Sequence, residues 1–190
     1  MDFSEKIIGY KERLTEQIKT ADVETINKII NLLLEARDND KQVFIMGNGG
    51  SGASATHIVG DFNKGLSLGK ERAKRWRWFS LVDNFPTVLS LANDVAYADI
   101  FVEQLKNFLN EGDIVIALSG SGNSENVIKA IRYAKECGNF TVGMTAYDGG
   151  VLKNEADISV HFDVNDMQIA EDVHMMLLHL MFSVMYHSDC

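Results

Sequence analysis

Short apolar runs that each end in a turn constrain the fold of this chain more than any other feature. Four runs predict buried strands at residues 43–46, 114–118, 141–145 and 158–162, and a weaker strand is predicted at 77–81. Helical patterns fill most of the sequence between them, including one that begins after the first turn and continues through Phe62, one at 125–136 and one at 166–186. Continuous apolar strands that alternate with helices are typical of a parallel sheet covered on both faces. The sequence therefore predicts a doubly wound α/β fold.

Length and composition predict one domain over residues 1–190. Hydrophobic residues make up 46% of the 190 residues, enough for a sizeable core. The net charge of −9 argues against a general nucleic-acid binder, which usually carries a basic face.

Cysteine usage and the N-terminal sequence predict a cytoplasmic protein. Cys137 and Cys190 form no CxxC pair, so both are expected to be reduced. Residues 1–5 show neither a basic nor an apolar region of a signal peptide, and no apolar run reaches the roughly 18 residues of a membrane span. We therefore expect neither a signal peptide nor a membrane partner.

The first 36 residues predict two helices, which need a surface to cover their apolar faces. Isoleucine, valine and leucine recur there at a spacing near 3.6, and Thr20 and Asp22 are candidate caps where the second helix begins. Because the two helices precede the first strand, a second subunit is a natural partner for them. We expect a homo-oligomer.

The turn SGSGNS, residues 119–124, predicts a phosphate site. Its glycines let the backbone approach an anion closely, and the hydroxyls of Ser119, Ser121 and Ser124 can donate hydrogen bonds to phosphate oxygens. The turn leads into a helix whose first N–H groups also favour an anion. The structural alternative is a glycine-rich turn in which Ser124 caps the helix. A lysine of the GxxxxGK[ST] type does not follow, which argues against an ATP-binding loop.

Two sequence motifs resemble a known family. SGSGNSENVIKA, residues 119–130, resembles the phosphate-binding signature of sugar isomerase (SIS) domains. GNGGS at 47–51, with His57 behind it, resembles the first motif of the phosphoheptose (sedoheptulose-7-phosphate) isomerases, and Asn93-Asp94, His174 and His179 also fit that branch. The resemblance covers residues 7–185.

The resemblance implies a five-stranded parallel sheet between helices, in a homotetramer with active sites at subunit interfaces. It implies interconversion of sedoheptulose 7-phosphate and a manno-heptose 7-phosphate. The implied substrate contacts are Asn48, Gly49, Gly50, Ser51, Asn93, Asp94, Ser119, Gly120, Ser121, Ser124 and Glu171. The implied ligands of a divalent metal, usually zinc, are His57, Asp61, Glu171 and His179.

This chain departs from the family pattern at three places. The family normally has glutamate at the position of Asp61 and glutamine at that of Glu171. An arginine expected shortly after Asp61 is missing, and Lys64 is the nearest cation. These differences leave open a different sugar substrate.

Aldose–ketose isomerisation needs a base beside the carbon acid and an acid or metal beside the oxygen that gains charge. His57 and Asp61 are four residues apart, so they share one face of a helix. We expect Asp61 and His179 to divide the acid–base work. His174, three residues from Glu171, is the weaker histidine candidate because the two residues can form a helix pair.

Two other functions stay open at this stage. A non-catalytic SIS protein would sense a sugar phosphate or bind a partner, and an isomerase for another phosphorylated sugar would keep the same serine turn. The segment 66–77, rich in lysine and arginine, is expected to be a solvated loop or a flap that helps to hold an anionic ligand or contacts a neighbouring subunit.

Overall fold

Five strands form one parallel sheet in the computed structural model, which describes residues 1–68 and 74–188. The strands are β1 (Val43–Gly47), β2 (Trp78–Ser80), β3 (Ile114–Ser119), β4 (Phe140–Thr145) and β5 (Ile158–His161). Their order across the sheet is β2-β1-β3-β4-β5. Every residue of β1 and β3 is buried, as expected for strands covered on both faces. The predicted α/β fold is confirmed.

Eight α-helices surround the sheet in the described part of the chain. They are α1 (Ser4–Lys19), α2 (Val23–Asp38), α3 (Gly49–Gly60), α4 (Phe85–Asp94), α5 (Val102–Phe108), α6 (Glu125–Glu136), α7 (Gly150–Glu155) and α8 (Met167–Tyr186). The predicted helix through Phe62 ends earlier, because one π-helical turn, Asp61–Gly65, follows α3. Helices α4, α5 and α7 were not predicted.

Asp22 and Asp166 begin two of the helices. The Asp22 carboxylate accepts a hydrogen bond from the N–H of Glu24 at the start of α2, which confirms it as a cap. Thr20 instead follows the end of α1. The Asp166 carboxylate accepts from Gln168 and Ile169, so α8 begins one residue later than predicted.

The sheet separates two apolar cores. Helices α2, α3 and α8 pack on one face, around Ile45, Ile58 and Leu177. Helices α5, α6 and α7 pack on the other, around Phe44 and Ile131. Since α3 follows β1 on one face and α6 follows β3 on the other, the chain diverges between these adjacent strands. Such a switch point opens a crevice at the carboxyl ends of the strands, where ligands of open α/β sheets bind.

The free edge of β2 is covered by a side chain of the π-helical turn. The Asn63 amide donates from Nδ2 to the carbonyl of Trp78, and its Oδ1 accepts from the Trp78 N–H, both at 2.9 Å. The amide thus makes the two hydrogen bonds that another strand would make there. It also joins the turn that carries Asp61 to the sheet.

Helix α1 contributes no buried residue. Phe3, Ile7 and Ile8 are each more than half exposed. The helix contacts α8 through polar groups, since the Tyr10 hydroxyl donates to Asp172 at 2.5 Å and Arg13 pairs with Asp166 at 3.0 Å, and Tyr10 and Leu14 pack partly buried against the core. The rest of the apolar face of α1, including Ile7 and Ile8, is open in the single chain.

The cationic segment 66–77 is only partly described, since residues 69–73 lie outside the described ranges. Lys74 and Arg77 donate hydrogen bonds to the carbonyls of Asp38 and Asp40, next to the first residue of β1. These two cations lie at the amino end of the sheet, away from the crevice. The flap prediction for Lys70 and Arg72 falls outside the described residues.

None of the helices in the described part of the chain combines the length and the apolar character needed to cross a bilayer.

Candidate active site

A cavity of about 240 Å³ lies in the crevice between β1 and β3. It is lined by Asn48, Gly49, Gly50, Ser51, Leu118, Ser119, Gly120, Ser121, Ser124, Met167 and Glu171. Nine of the eleven predicted substrate contacts are therefore together in one cavity. We call it the phosphate pocket, after the phosphate site that the sequence predicts at the serine turn.

The serine turn on one side of the pocket is held by the loop after β4. Gly122 has φ of 64°, and a Cβ there would lie 2.0 Å from the Gly149 carbonyl oxygen, so only glycine fits. The N–H of Ala146 donates to the carbonyl of Gly120 at 2.8 Å, and that of Leu152 donates to Gly122 at 2.9 Å. These contacts fix the backbone of the turn before any ligand arrives.

Ser124 precedes α6 but does not cap it. Its side chain makes no capping hydrogen bond and instead lies 3.4 Å from the Ser119 hydroxyl. Capping therefore does not account for this hydroxyl. It is available to a ligand together with the N–H groups at the start of α6.

A pair of side-chain amides joins the two sides of the pocket. Asn48 and Asn126 donate to each other's amide oxygens, each at 2.9 Å, and the Tyr97 hydroxyl donates to Asn48 at 2.7 Å. Asn126 is 2% exposed, and its Oδ1 also accepts from the N–H of Val127 at 2.9 Å. The network ties the start of α3 to the first turn of α6. Neither Asn126 nor Tyr97 was predicted, although Asn126 lies within the serine motif.

Glu171 lies on the opposite side of the pocket, against the backbone of Gly50. A Cβ on Gly50 would come within 2.2–2.4 Å of three carboxyl atoms of Glu171. The half-buried carboxylate therefore lies against the first turn of α3, in the space that a side chain at position 50 would occupy. It forms no hydrogen bond or ion pair with residues in the described ranges.

Helices α3 and α8 lie side by side and run in the same direction. Gly50 of α3 lies next to Glu171 of α8, and His57 of α3 lies next to His179 of α8. The second contact is seven residues further along α3 and eight residues further along α8. At 1.5 Å per residue, these two contacts are separated by roughly 11 Å along the helices. The shared groove thus leads from the phosphate pocket to a second polar cluster.

The second cluster contains His57, Asp61 and His179, which we call the ligand triad. The Nε2 atoms of the two histidines are 3.0 Å apart, and each lies 3.4 Å from Asp61 Oδ2. All three side chains are partly exposed; those of the histidines are 51% and 47% exposed. Of the four predicted metal ligands, these three are brought together, and Glu171 lies outside the group.

The triad fits a divalent metal. Ligand atoms that lie about 2.0–2.2 Å from a tetrahedral zinc ion are separated from each other by roughly 3.3 Å. The measured separations are 3.0–3.4 Å. Two imidazoles and one carboxylate are also a donor set that zinc accepts, with a fourth position left for water or substrate.

His174 lies apart from this chemistry, in the core. It is 1% exposed, and neither ring nitrogen has a hydrogen-bond partner among the described residues. Burial lowers its pKa to about 4. The histidine is therefore neutral at physiological pH.

Asn93 and Asp94 line neither the phosphate pocket nor the ligand triad. They end α4 on an exposed surface, where the Asn93 amide donates to Asp94 at 2.7 Å. Tyr97, three residues later, does reach Asn48. The predicted substrate contacts of Asn93 and Asp94 stay predictions.

A larger cavity, about 600 Å³, lies beside the edge strand β2 and helices α4 and α5. Phe79, Phe108 and Asp83 are among its lining residues, and none of the predicted site residues lines it. Its volume alone indicates no chemistry, so the smaller pocket is the candidate site.

Comparison with known proteins identifies the family of this chain. A family model described as the SIS domain matches residues 8–146. A phosphoheptose isomerase of Clostridium acetobutylicum is 33% identical over 162 residues, 85% of this chain and 81% of that protein. A probable phosphoheptose isomerase of Thermoplasma volcanium is 32% identical over 185 residues, 97% of this chain and 90% of that protein.

Solved structures share the fold. A phosphoheptose isomerase from Francisella tularensis superposes with a TM-score of 0.88 at 22% identity, covering 99% of this chain and 100% of that one. A phosphoheptose isomerase from Neisseria gonorrhoeae gives a TM-score of 0.86 at 24% identity, covering 97% and 98% of the two chains.

Proposed function

The chain belongs to the phosphoheptose isomerase family of SIS-domain proteins, and on that premise we propose that it interconverts sedoheptulose 7-phosphate and a manno-heptose 7-phosphate through an enediol. The observation that carries the proposal is the arrangement along α3 and α8. A pocket suited to phosphate lies at one end of the groove, and a cluster suited to acid–base and metal chemistry lies at the other.

The phosphate binds at the serine turn. Ser119, Ser121 and Ser124 supply hydroxyl donors, and the first N–H groups of α6 supply backbone donors at the positive end of the helix dipole. Gly120 and Gly122 allow the close approach. Since Ser124 leaves the helix without a side-chain cap, an anion there can accept hydrogen bonds from N–H groups at the start of the helix.

The length of the groove suits a long phosphorylated sugar. An extended chain advances about 1.2 Å per bond, so the eight bonds from C1 of a heptulose to the phosphorus span roughly 10 Å. The two contacts between α3 and α8 are separated by a similar distance, roughly 11 Å. A seven-carbon ester held at the serine turn can therefore bring C1 and C2 close to the ligand triad.

Asp61 and His179 handle the protons at C1 and C2. From ketose to aldose, the base removes a proton from C1 while the C2 carbonyl oxygen gains one, which forms the enediol; a proton then returns to C2 as O1 loses its proton and the C1 carbonyl forms. Both side chains lie within 3.4 Å of each other at one end of the groove. Asp61 reaches about one methylene less far than glutamate, and its place in the π-helical turn supports a compensating shift of the backbone.

His57, Asp61 and His179 would hold the divalent metal. When bound, zinc polarises the substrate oxygen on which negative charge develops. Glu171 as a fourth ligand stays a prediction, since it lies outside the triad.

The active oligomer is a homotetramer with sites at subunit interfaces. Two observations support it: the apolar face of α1 is open, and the triad is about half exposed although proton transfer benefits from exclusion of water. The cytoplasmic location proposed from the sequence is retained with it.

The decisive experiment incubates the protein with a panel of ketose phosphates in deuterated water. Isomerisation of sedoheptulose 7-phosphate, with deuterium incorporated at the carbon next to the carbonyl, is the expected result. Exchange with another ketose phosphate alone would identify a different substrate. Tight sugar-phosphate binding without any deuterium exchange would favour a non-catalytic protein that senses a sugar phosphate.

The metal is tested separately. Elemental analysis of the purified protein is expected to find about one zinc per chain, and chelation is expected to abolish turnover. Zinc-free protein with full activity in chelator would contradict the metal site.

A further inference from the structure

The loop after β4 contains a tyrosine in a backbone conformation that favours glycine. Tyr147 has φ of 53°, in the left-handed region where a bulky side chain is an outlier. The two other residues of this loop with positive φ, Gly149 and Gly150, are glycines. Glycine at position 147 would take up the same conformation without strain. The tyrosine side chain therefore needs an explanation other than the path of the backbone.

Hydrogen bonds on both sides of Tyr147 hold it in this conformation. Its N–H donates to the carbonyl of Val164 at 3.1 Å, and the N–H of Gly149 donates to that of Ala146 at 2.8 Å. The N–H of Ala146, one residue earlier, donates to Gly120 in the serine turn at 2.8 Å. The strained residue is thus tied directly to the phosphate pocket. Strain that the surrounding structure maintains is concentrated at ligand-binding and active sites.

The conformation places the half-buried ring of Tyr147 beside the serine turn. A Cβ on Gly120 would lie 3.8 Å from Cε2 of Tyr147 and 3.0 Å from Sδ of Met167. Because Cε2 is bonded to the carbon that carries the hydroxyl, the hydroxyl half of the ring is the half next to Gly120. Gly120 and Met167 both line the phosphate pocket. The phenol therefore lies at the rim of this pocket.

An anion in the phosphate pocket depends on neutral donors. Its described lining residues include no lysine, arginine or histidine, so hydroxyl and N–H groups have to satisfy the phosphate oxygens. Two other tyrosine hydroxyls are occupied within the chain, since Tyr10 donates to Asp172 and Tyr97 donates to Asn48. The hydroxyl of Tyr147 pairs with no group in the described ranges. It is available to donate to a ligand.

We propose that Tyr147 is a further substrate-binding residue, whose hydroxyl donates a hydrogen bond to the phosphate held at the serine turn. The strained backbone of the loop positions the phenol for this contact. The inference rests on the proposed phosphate site and adds one donor to it, from the loop after β4. A ring that only packs against Met167 would instead stabilise the fold and leave the affinity for phosphate esters unchanged.

Tyr147→Phe tests the hydroxyl by itself, because it retains the ring and the backbone strain. Titration calorimetry of the full-length protein with glycerol 3-phosphate is expected to show a Kd raised roughly 10- to 100-fold, the range for a hydrogen bond to a charged group. Tyr186→Phe is the matched control, since it removes an exposed hydroxyl at the end of α8, and its Kd is expected to stay unchanged. Equal affinity of Tyr147→Phe and the wild-type protein would overturn the proposal.

Tyr147→Gly separates binding from folding. It is expected to weaken binding at least as much as Tyr147→Phe, while the midpoint of urea unfolding changes little because the release of backbone strain offsets the lost packing. Asp40→Gly is the backbone control: Asp40 has φ of 57° and lies at the amino end of the sheet, so its replacement should leave Kd unchanged. A destabilised Tyr147→Gly variant with unchanged affinity would show that the ring is only structural, and would overturn the proposal.

The results for the wild-type protein distinguish this inference from the function on which it rests. If the wild-type protein binds glycerol 3-phosphate and both Tyr147 variants bind it equally well, only the role of Tyr147 fails. If the wild-type protein binds neither glycerol 3-phosphate nor inorganic phosphate, the phosphate site itself fails, and the inference fails with it.

Discussion

The two ends of the α3–α8 groove are built in different ways. The phosphate pocket is assembled by backbone turns after β1 and β3, and its side chains are fixed by one another, as the Asn48–Asn126 pair illustrates. The ligand triad consists of side chains from two helices and a π-helical turn, and it is about half exposed. The single chain therefore completes its binding end, whereas the proposed metal ion and the proposed neighbouring subunit would complete its reactive end. We therefore expect variants at one end of the groove to change ligand binding and variants at the other end to change turnover.

Replacement of His179 by Gln should have the largest effect. Loss of the acid–base group is expected to lower kcat by roughly 100- to 10,000-fold, while affinity for the sugar phosphate changes little. Steady-state kinetics and calorimetry measure the two quantities. His187→Gln, at the end of α8, is the control. Normal turnover of His179→Gln would exclude the triad as the reactive end.

Acid should destabilise the fold through His174, independently of the triad. Burial lowers its pKa from 6.5 to about 4, so above pH 6.5 the residue is neutral in both folded and unfolded chains. As the pH falls from 6.5 to 4, the unfolded chain gains a proton that the folded chain does not. This costs about 3 kcal/mol of stability by pH 4. His174→Met should flatten that dependence in urea unfolding at several pH values. An unchanged profile would contradict this assignment.

Replacement of Ser124 by Ala should weaken binding without weakening the helix. Loss of one hydrogen bond to phosphate is expected to raise Kd roughly 10- to 100-fold. Because the hydroxyl does not cap α6, the free energy of unfolding should change little. Asp22→Ala is the opposite control: it removes a true cap, should cost about 1 kcal/mol and should leave Kd unchanged. A stability loss without a binding loss in Ser124→Ala would favour the capping role.

Replacement of Asn126 by Ala should have the smallest effect on the site. Without its partner, Asn48 loses one constraint on its orientation, and KM is expected to rise by roughly tenfold with kcat nearly retained. Asn154→Ala, in α7, is the control on a surface helix. A selective loss of kcat instead would mean that the amide pair serves the reactive end.

The sequence predicted the parts of the molecule that depend on local patterns. The buried runs of β1, β3 and β4 and the long amphipathic α6 have enough residues to show their period. Helices α4, α5 and α7 have ten residues or fewer, and little of that pattern is visible in them. Strand β2 has only three residues and begins later than predicted.

The sequence predicted the residues of the site that belong to a local motif. It missed the residues that only the tertiary structure brings together. The glycine and serine turns follow their strands directly, so sequence placed them correctly. Asn48 and Asn126 are 78 positions apart in the sequence, and Tyr97 is 49 positions from Asn48. A local sequence pattern cannot indicate contacts between residues that are so far apart. Glu171 and His179 share one helix, yet their eight-residue separation places them at opposite ends of the groove.

The amide of Asn63 limits how copies of this chain can associate. An open sheet edge can recruit the edge of another molecule and extend without limit, whereas a closed ring or tetramer needs contacts that end. At Trp78, the hydrogen-bonding groups that would start such growth are already occupied from within the chain. In the proposed homotetramer, the open apolar face of α1 would instead be the surface that closes on a second copy. A single side-chain amide at a strand edge can thus oppose open-ended growth.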